Sequence, residues 1–187
     1  MATQRQVKKA KTVRTAAPAK RPAKRSLHVT RAGKSPAARS TVTTEDYEGV
    51  RRVLSRYCFA LDRGDLDELS SLFHRQADFS VSFEHGQKHK GRDTIHSWYA
   101  RFFQQRPNDY QHMRHKIYEP LITVSGNTAT SSTYFDGESK DANGQVQIVA
   151  GRYDDSLVKE GGQWFFKERT ITVLYHYSPG SGREGMR

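Results

Sequence analysis

Three residues have the types and the spacing to move protons: Tyr57, Asp62 and His115. Asp62 falls at the C-terminal end of a helical pattern, where a carboxylate faces the negative end of the dipole and is disfavoured by about a few tenths of a kcal/mol. A charge set against the dipole calls for a partner that wants it there. Tyr57 lies about one and a half turns earlier, displaced around the helix but near enough to border the same cavity. His115 sits in M-R-H-K-I, in phase with Met113 and Ile117 and out of phase with Arg114 and Lys116, so it points to the buried face of a strand. A buried histidine beside a carboxylate works as acid or base close to neutrality, with the aspartate fixing its tautomer and a tyrosine hydroxyl polarising a carbonyl. The plain alternative makes His115 a hydrogen-bonded core histidine, Asp62 a solvated helix end and Tyr57 a core aromatic.

The elements that must position these residues are legible as patterns. A helix opens at Thr43 or Thr44, with Glu45 and Asp46 suited to its dipole, and buries a stripe of Tyr47, Val50, Val53, Leu54, Tyr57, Cys58 and Leu61. Gly64 ends it and Asp65 caps a second helix whose apolar positions are Leu66, Leu69, Leu72 and Phe73. Phe79, Val81 and Phe83 alternate with serines as a strand, H-G-Q-K at 85–88 is its turn, and a short second strand follows. A third helix from Arg92 carries Ile95, Trp98, Tyr99, Phe102 and Phe103 on one face until Pro107 and Asn108 stop it. Strands are then expected over 111–124, 128–138, 145–158 and 163–175, separated by S-G-N, D-A-N-G and E-G-G turns. Helices first and hairpins last specify an α+β domain with helices on one face of a mainly antiparallel sheet.

Charge is segregated along the chain. The formal net charge is +11, yet residues 1–44 hold twelve of the 31 Lys and Arg and no acid, leaving 19 bases against 20 acids in the remainder. The expected organisation is a disordered basic arm over 1–43, a folded domain over 44–176 and a flexible tail over 177–187. Three readings of the arm stay open: contact with nucleic acid, an organelle presequence, or a passive solubilising extension. The single cysteine, Cys58, excludes an intrachain disulfide framework and fits a reducing, cytoplasmic setting, and no apolar run is long enough for a membrane span. No metal site is expected, because His112 and His115 face opposite sides of a strand and His85 and His89 flank a turn. The G-S-G-R-E-G at 180–185 has no helix after it and does not read as a nucleotide fingerprint.

R-Y-C-F-A-L-D-R-G-D-L-D-E-L-S-S-L-F, A-D-F, G-R-D-T-I, R-H-K-I-Y-E-P-L-I-T-V-S-G-N-T-A, G-R-Y-D-D-S-L-V and W-F-F-K-E-R, in that order over 44–175, resemble the SnoaL-like branch of the nuclear transport factor 2 superfamily. The resemblance implies a curved sheet folded into a cone, closed by three helices around a pocket, in a homodimer or homotrimer. It also implies cofactor-independent acid–base chemistry, dehydration or isomerisation of a hydrophobic cyclic small molecule, as in members of the scytalone dehydratase and bile acid 7α-dehydratase type. Asp62 and His115 fall on the catalytic positions of such members, and Tyr57 precedes Asp62 at the spacing of the bile acid enzyme. The same likeness suggests Asp136 or Glu138 as a cavity acid and Arg169 or Arg152 as a cavity arginine. Tyr153 and Trp98 are expected as substrate-contacting walls. One feature departs from the pattern: the strand V-A-G-R-Y lacks the second histidine of the scytalone enzyme. The superfamily also includes non-catalytic binding and assembly domains, so fold alone does not choose between turnover and binding. Nucleic acid contact is expected only through residues 1–44.

Overall fold

The computed structural model describes residues 41–109 and 111–179. The basic arm and the C-terminal tail lie outside the described residues, apart from 41–43 and 177–179.

Helix α1, Thr44–Arg63, starts with a reciprocal cap. Thr43 Oγ1 accepts from Asp46 N–H at 3.3 Å, and the Asp46 carboxylate accepts from Thr43 N–H at 2.9 Å. Lys159 also donates to Asp46 at 2.7 Å. The Lys159 hydrogen bond, then those from Thr43, hold the Asp46 carboxyl down at about 2. Because the folded value lies below the ordinary 3.8, the stabilisation is complete above pH 3.8 and disappears as pH falls through about 2. Asp46→Asn is therefore expected to lower the melting temperature at pH 7 and to melt with the wild type near pH 2, as a thermal scan across pH would read.

Gly64, at φ 72°, ends α1 in the left-handed conformation, and its N–H bonds back to the last turn. Asp65 accepts from Glu68 N–H at 3.0 Å and caps α2, Leu66–Ser71. α2 is shorter than its apolar spacing suggests. Phe73, expected on this helix, instead opens strand β1, Phe73–Val81, and pairs with Phe166 across a parallel ladder. Phe83, expected in that strand, lies in a 3₁₀ turn over Ser82–Glu84 and is exposed. Strand β2, Lys88–Lys90, and helix α3, Arg92–Asp109, follow. Pro107 falls inside the last turn of α3 rather than before its end.

The long strand expected over 111–124 is two strands, β3, Gln111–Ile117, and β4, Leu121–Ser125, split at Pro120. Both pair with the same edge of β5, Thr128–Lys140, which is followed by β6, Val146–Glu160, and β7, Gln163–Tyr177. The sheet order is β2-β1-β7-β6-β5-β3, antiparallel except where β1 runs parallel to β7, and the sheet is open. Two bulges bend β7 against β6, at Lys167 and at Leu174. Near the second bulge a Cβ on Gly151 would meet the Thr172 carbonyl at 2.5 Å and the Phe135 ring at 2.6 Å, so only glycine lets Phe135 lie there. Phe135 stacks on Tyr153, 4.1 Å between centroids. The three helices pack on this curved sheet, and Tyr57 sits centrally in the core, edge-on to Phe73, Tyr99, Tyr153 and Phe166. Among the described residues no helix is long and apolar enough to cross a membrane.

Candidate active site

The last turn of α1 and the middle of β3 meet at one interaction. Both Asp62 carboxylate oxygens accept the His115 backbone N–H, at 3.1 and 3.0 Å, and Asp62 Oδ1 lies 2.6 Å from His115 Nδ1. An ionised carboxylate can only accept, so Nδ1 carries the hydrogen and Nε2 is left as a lone-pair base. The helix-end cost expected for Asp62 is offset by a residue the sequence pattern did not single out. Arg106, from the far end of α3, donates to the carbonyl of Leu61 at 2.8 Å and to that of Asp62. Its cation thus covers the negative end of α1.

A cavity of about 480 Å³ lies between α1, α3 and the concave face of the sheet. His115 lines it and Asp62 does not, so the imidazole stands between the carboxylate and the cavity. Gly137 pairs with His115 in register, and a Cβ there would sit 3.1 Å from Nε2. Glycine at this position leaves the basic nitrogen uncovered. The walls are largely apolar, with the aromatic rings of Trp98, Tyr99, Phe102, Phe135 and Tyr153 among them. Tyr57 and Tyr99 are buried and share a 2.7 Å hydroxyl–hydroxyl bond at the cavity wall. Two hydroxyls own two hydrogens and this bond uses one, so the pair keeps one O–H to donate. Burial raises the pKa of both phenols, more so for Tyr99, and keeps them protonated.

The other positions suggested by the sequence divide. Tyr153 and Trp98 front the cavity. Asp136 does not: it accepts from the Tyr118 hydroxyl at 2.8 Å on the outer face of β5, because strand alternation sends Phe135 and Gly137 inward. Glu138 reaches the rim but is held by Arg114 and Lys116. Arg169 is fully buried beneath the cavity and does not line it. Asp155 accepts from its Nε at 2.7 Å and its Nη2 at 2.8 Å, and Cζ lies 3.9 Å from the centroids of Tyr57 and Phe166. Burial works against the Arg169 cation, but the charge and hydrogen bonds of Asp155 outweigh it and raise the guanidinium pKa. Arg152, the alternative, pairs with Asp154 and is also absent from the cavity wall. The arginine that does line the cavity is Arg101, together with Glu84. Neither stood out in the sequence, since Arg101 lies on a helix flank and Glu84 beside a turn.

An α+β cone whose concave face holds a largely apolar cavity with a carboxylate-backed histidine on its wall defines the class. A family model for the SnoaL-like domain matches residues 42–170, and the chain belongs to that family, within the NTF2-like superfamily. Among solved structures it is similar to a candidate scytalone dehydratase from Novosphingobium aromaticivorans, at 22% identity and TM-score 0.62, covering 71% of this chain and 87% of the other. It is also similar to the hexachlorocyclohexane dehydrochlorinase LinA-type3 from Novosphingobium barchaimii, at 14% identity and TM-score 0.63, covering 73% and 92%. A third similar structure, a protein of unknown function from Mycobacterium tuberculosis, has 21% identity and TM-score 0.61, covering 70% and 72%. No curated protein matches the chain.

Proposed function

We propose that this protein is a cofactor-independent enzyme that removes or relocates a proton on a hydrophobic cyclic small molecule, as a dehydratase-type lyase or an isomerase. The observation that carries the reading is the placement of His115 between Asp62 and the cavity, with Nδ1 tied down and Nε2 beside the cavity-lining Gly137. His115 Nε2 takes a proton from carbon, and the C–H electron pair forms the new double bond. Asp62 orients the ring and stabilises the imidazolium, and the spare hydroxyl hydrogen of Tyr57 and Tyr99 is offered to an oxygen of the ligand. In a dehydration the C–O bond breaks and the hydroxyl leaves as water with the proton the imidazolium returns; in an isomerisation that proton goes back to another carbon. Tyr153 and Trp98 hold the apolar body. The reactions in the names of two similar structures, a dehydration and a dehydrochlorination, are both eliminations and support this class.

The test is a panel of steroids, polyketides and hydroxylated aromatics screened by thermal shift, with each stabilising compound followed for product by mass spectrometry. Conversion of a bound compound supports the reading; stabilisation by many compounds with no product from any of them favours a non-catalytic binding domain. Gly137→Ala gives a sharper check, because its methyl would stand 3.1 Å from Nε2 and crowd the reacting atoms. Turnover is expected to fall roughly tenfold to a hundredfold with the melting temperature little changed. The exposed Tyr118, Tyr134 and Tyr175 on the outer side of the sheet support a homodimer or homotrimer, which light scattering would read.

A further inference from the structure

A second carboxylate–histidine pair, Glu84 backed by the buried His89, places its carboxylate residue on the wall of the same cavity and has no part in the proton transfer proposed above. The 3₁₀ turn after β1 carries Glu84 to the wall, where Oε1 accepts from Trp98 Nε1 at 2.8 Å and Oε2 lies 2.8 Å from Nε2 of the buried His89. Burial opposes the charge on Glu84, but the hydrogen bonds with Trp98 and His89 and the nearby Arg101 guanidinium outweigh it, so its carboxyl stays below the usual value. Two fixed donors leave this carboxylate with unused lone pairs, since each oxygen can accept more than once. Glu84 follows directly on β1 and His115 lies on β3, with β7, β6 and β5 between those strands in the sheet. The two residues therefore front opposite walls, and a ligand that fills the cavity meets both.

We propose that Glu84 is the specificity-determining acceptor of this pocket, binding a neutral hydroxyl on an otherwise apolar ring system at the end of the ligand away from His115. Arg101 fronts the cavity beside Glu84 and disfavours an ammonium there, whereas a hydroxyl carries no charge to be repelled. The inference rests on reading this cavity as the ligand site. It does not require that the ligand be turned over.

The test measures equilibrium binding of 2-naphthol and of naphthalene to the full chain, by calorimetry or by quenching of tryptophan emission. The wild type is expected to prefer 2-naphthol about tenfold, which is about 1.4 kcal/mol. In Glu84→Gln the side-chain amide can accept from Trp98 and donate to the other tautomer of His89, so the wall keeps its shape while the anionic acceptor is lost. The preference should shrink to within about threefold, with naphthalene affinity unchanged. Should that variant fail to fold, Glu84→Asp, which withdraws the carboxylate by one methylene, is expected to show the same loss of preference. An undiminished preference in a folded variant, equal weakening of both probes, or no binding of either probe by the wild type would overturn the proposal. Glu84-dependent binding without conversion of any compound would leave this inference standing and remove the enzymatic one.

Discussion

His115→Gln is expected to lower turnover of any compound the wild type converts by roughly 10²- to 10⁴-fold, the range a positioned general base contributes. Glutamine keeps the backbone N–H that both Asp62 oxygens accept, so the junction of α1 and β3 survives. It also roughly preserves side-chain length, so ligand affinity should change only a few-fold. What it lacks is a nitrogen lone pair that can take a proton at neutral pH. Asp62→Asn attacks the same unit from behind, because an amide no longer demands a hydrogen on Nδ1 and the ring is freed to adopt the other tautomer. Loss of turnover in both variants, with melting temperatures near the wild type, is the signature of a working pair. Loss of stability with unchanged turnover would mark His115 as a core histidine.

Asp155→Asn carries the largest expected effect on stability. Arg169 is fully buried, and Asp155 is the only carboxylate bonded to it among the described residues. Removing the negative partner leaves an uncompensated cation in the core, a change that costs about 3–5 kcal/mol. For a domain of this size that corresponds to a melting temperature lower by roughly 10 °C or more. The faces of Tyr57, Tyr153 and Phe166 surround the guanidinium but cannot replace a full charge. Replacing both members, Asp155→Leu with Arg169→Met, should recover most of the loss, because an apolar pair incurs no desolvation of ions. Differential scanning calorimetry of the single and double variants separates this from a local packing defect. The consequence reaches the cavity, since Arg169 supports the ring of Tyr57 from below.

How far the sequence could be read is clearest along β7. Trp164 and Phe166 alternate inward, and continuing that alternation would place Glu168 inside and Arg169 outside. The bulge at Lys167 reverses the phase, so Phe166 and Arg169 are both buried. A bulge is set by pairing with β6, a partner far away in the chain, and leaves no local mark. The opposite holds for α1. Its start at Thr43, its end at Gly64 and its buried stripe depend on local chemistry, and the structure places them as the pattern indicates. The inward phase of His115 was legible for the same reason, because β3 alternates without interruption from Met113 to Ile117. Arg106 and Glu84 were not, since their partners lie on other elements: the carbonyls at the end of α1, and Trp98 and His89.

The most direct measurement takes each pocket-binding compound with wild type and with His115→Gln in heavy water and follows both reactions by mass spectrometry. Elimination or deuterium uptake in the wild type, with binding but neither reaction in the variant, is the result predicted for a proton transfer through Nε2. Equal reaction in the two proteins, or tight binding by the wild type with no exchange and no product for any compound, would contradict it.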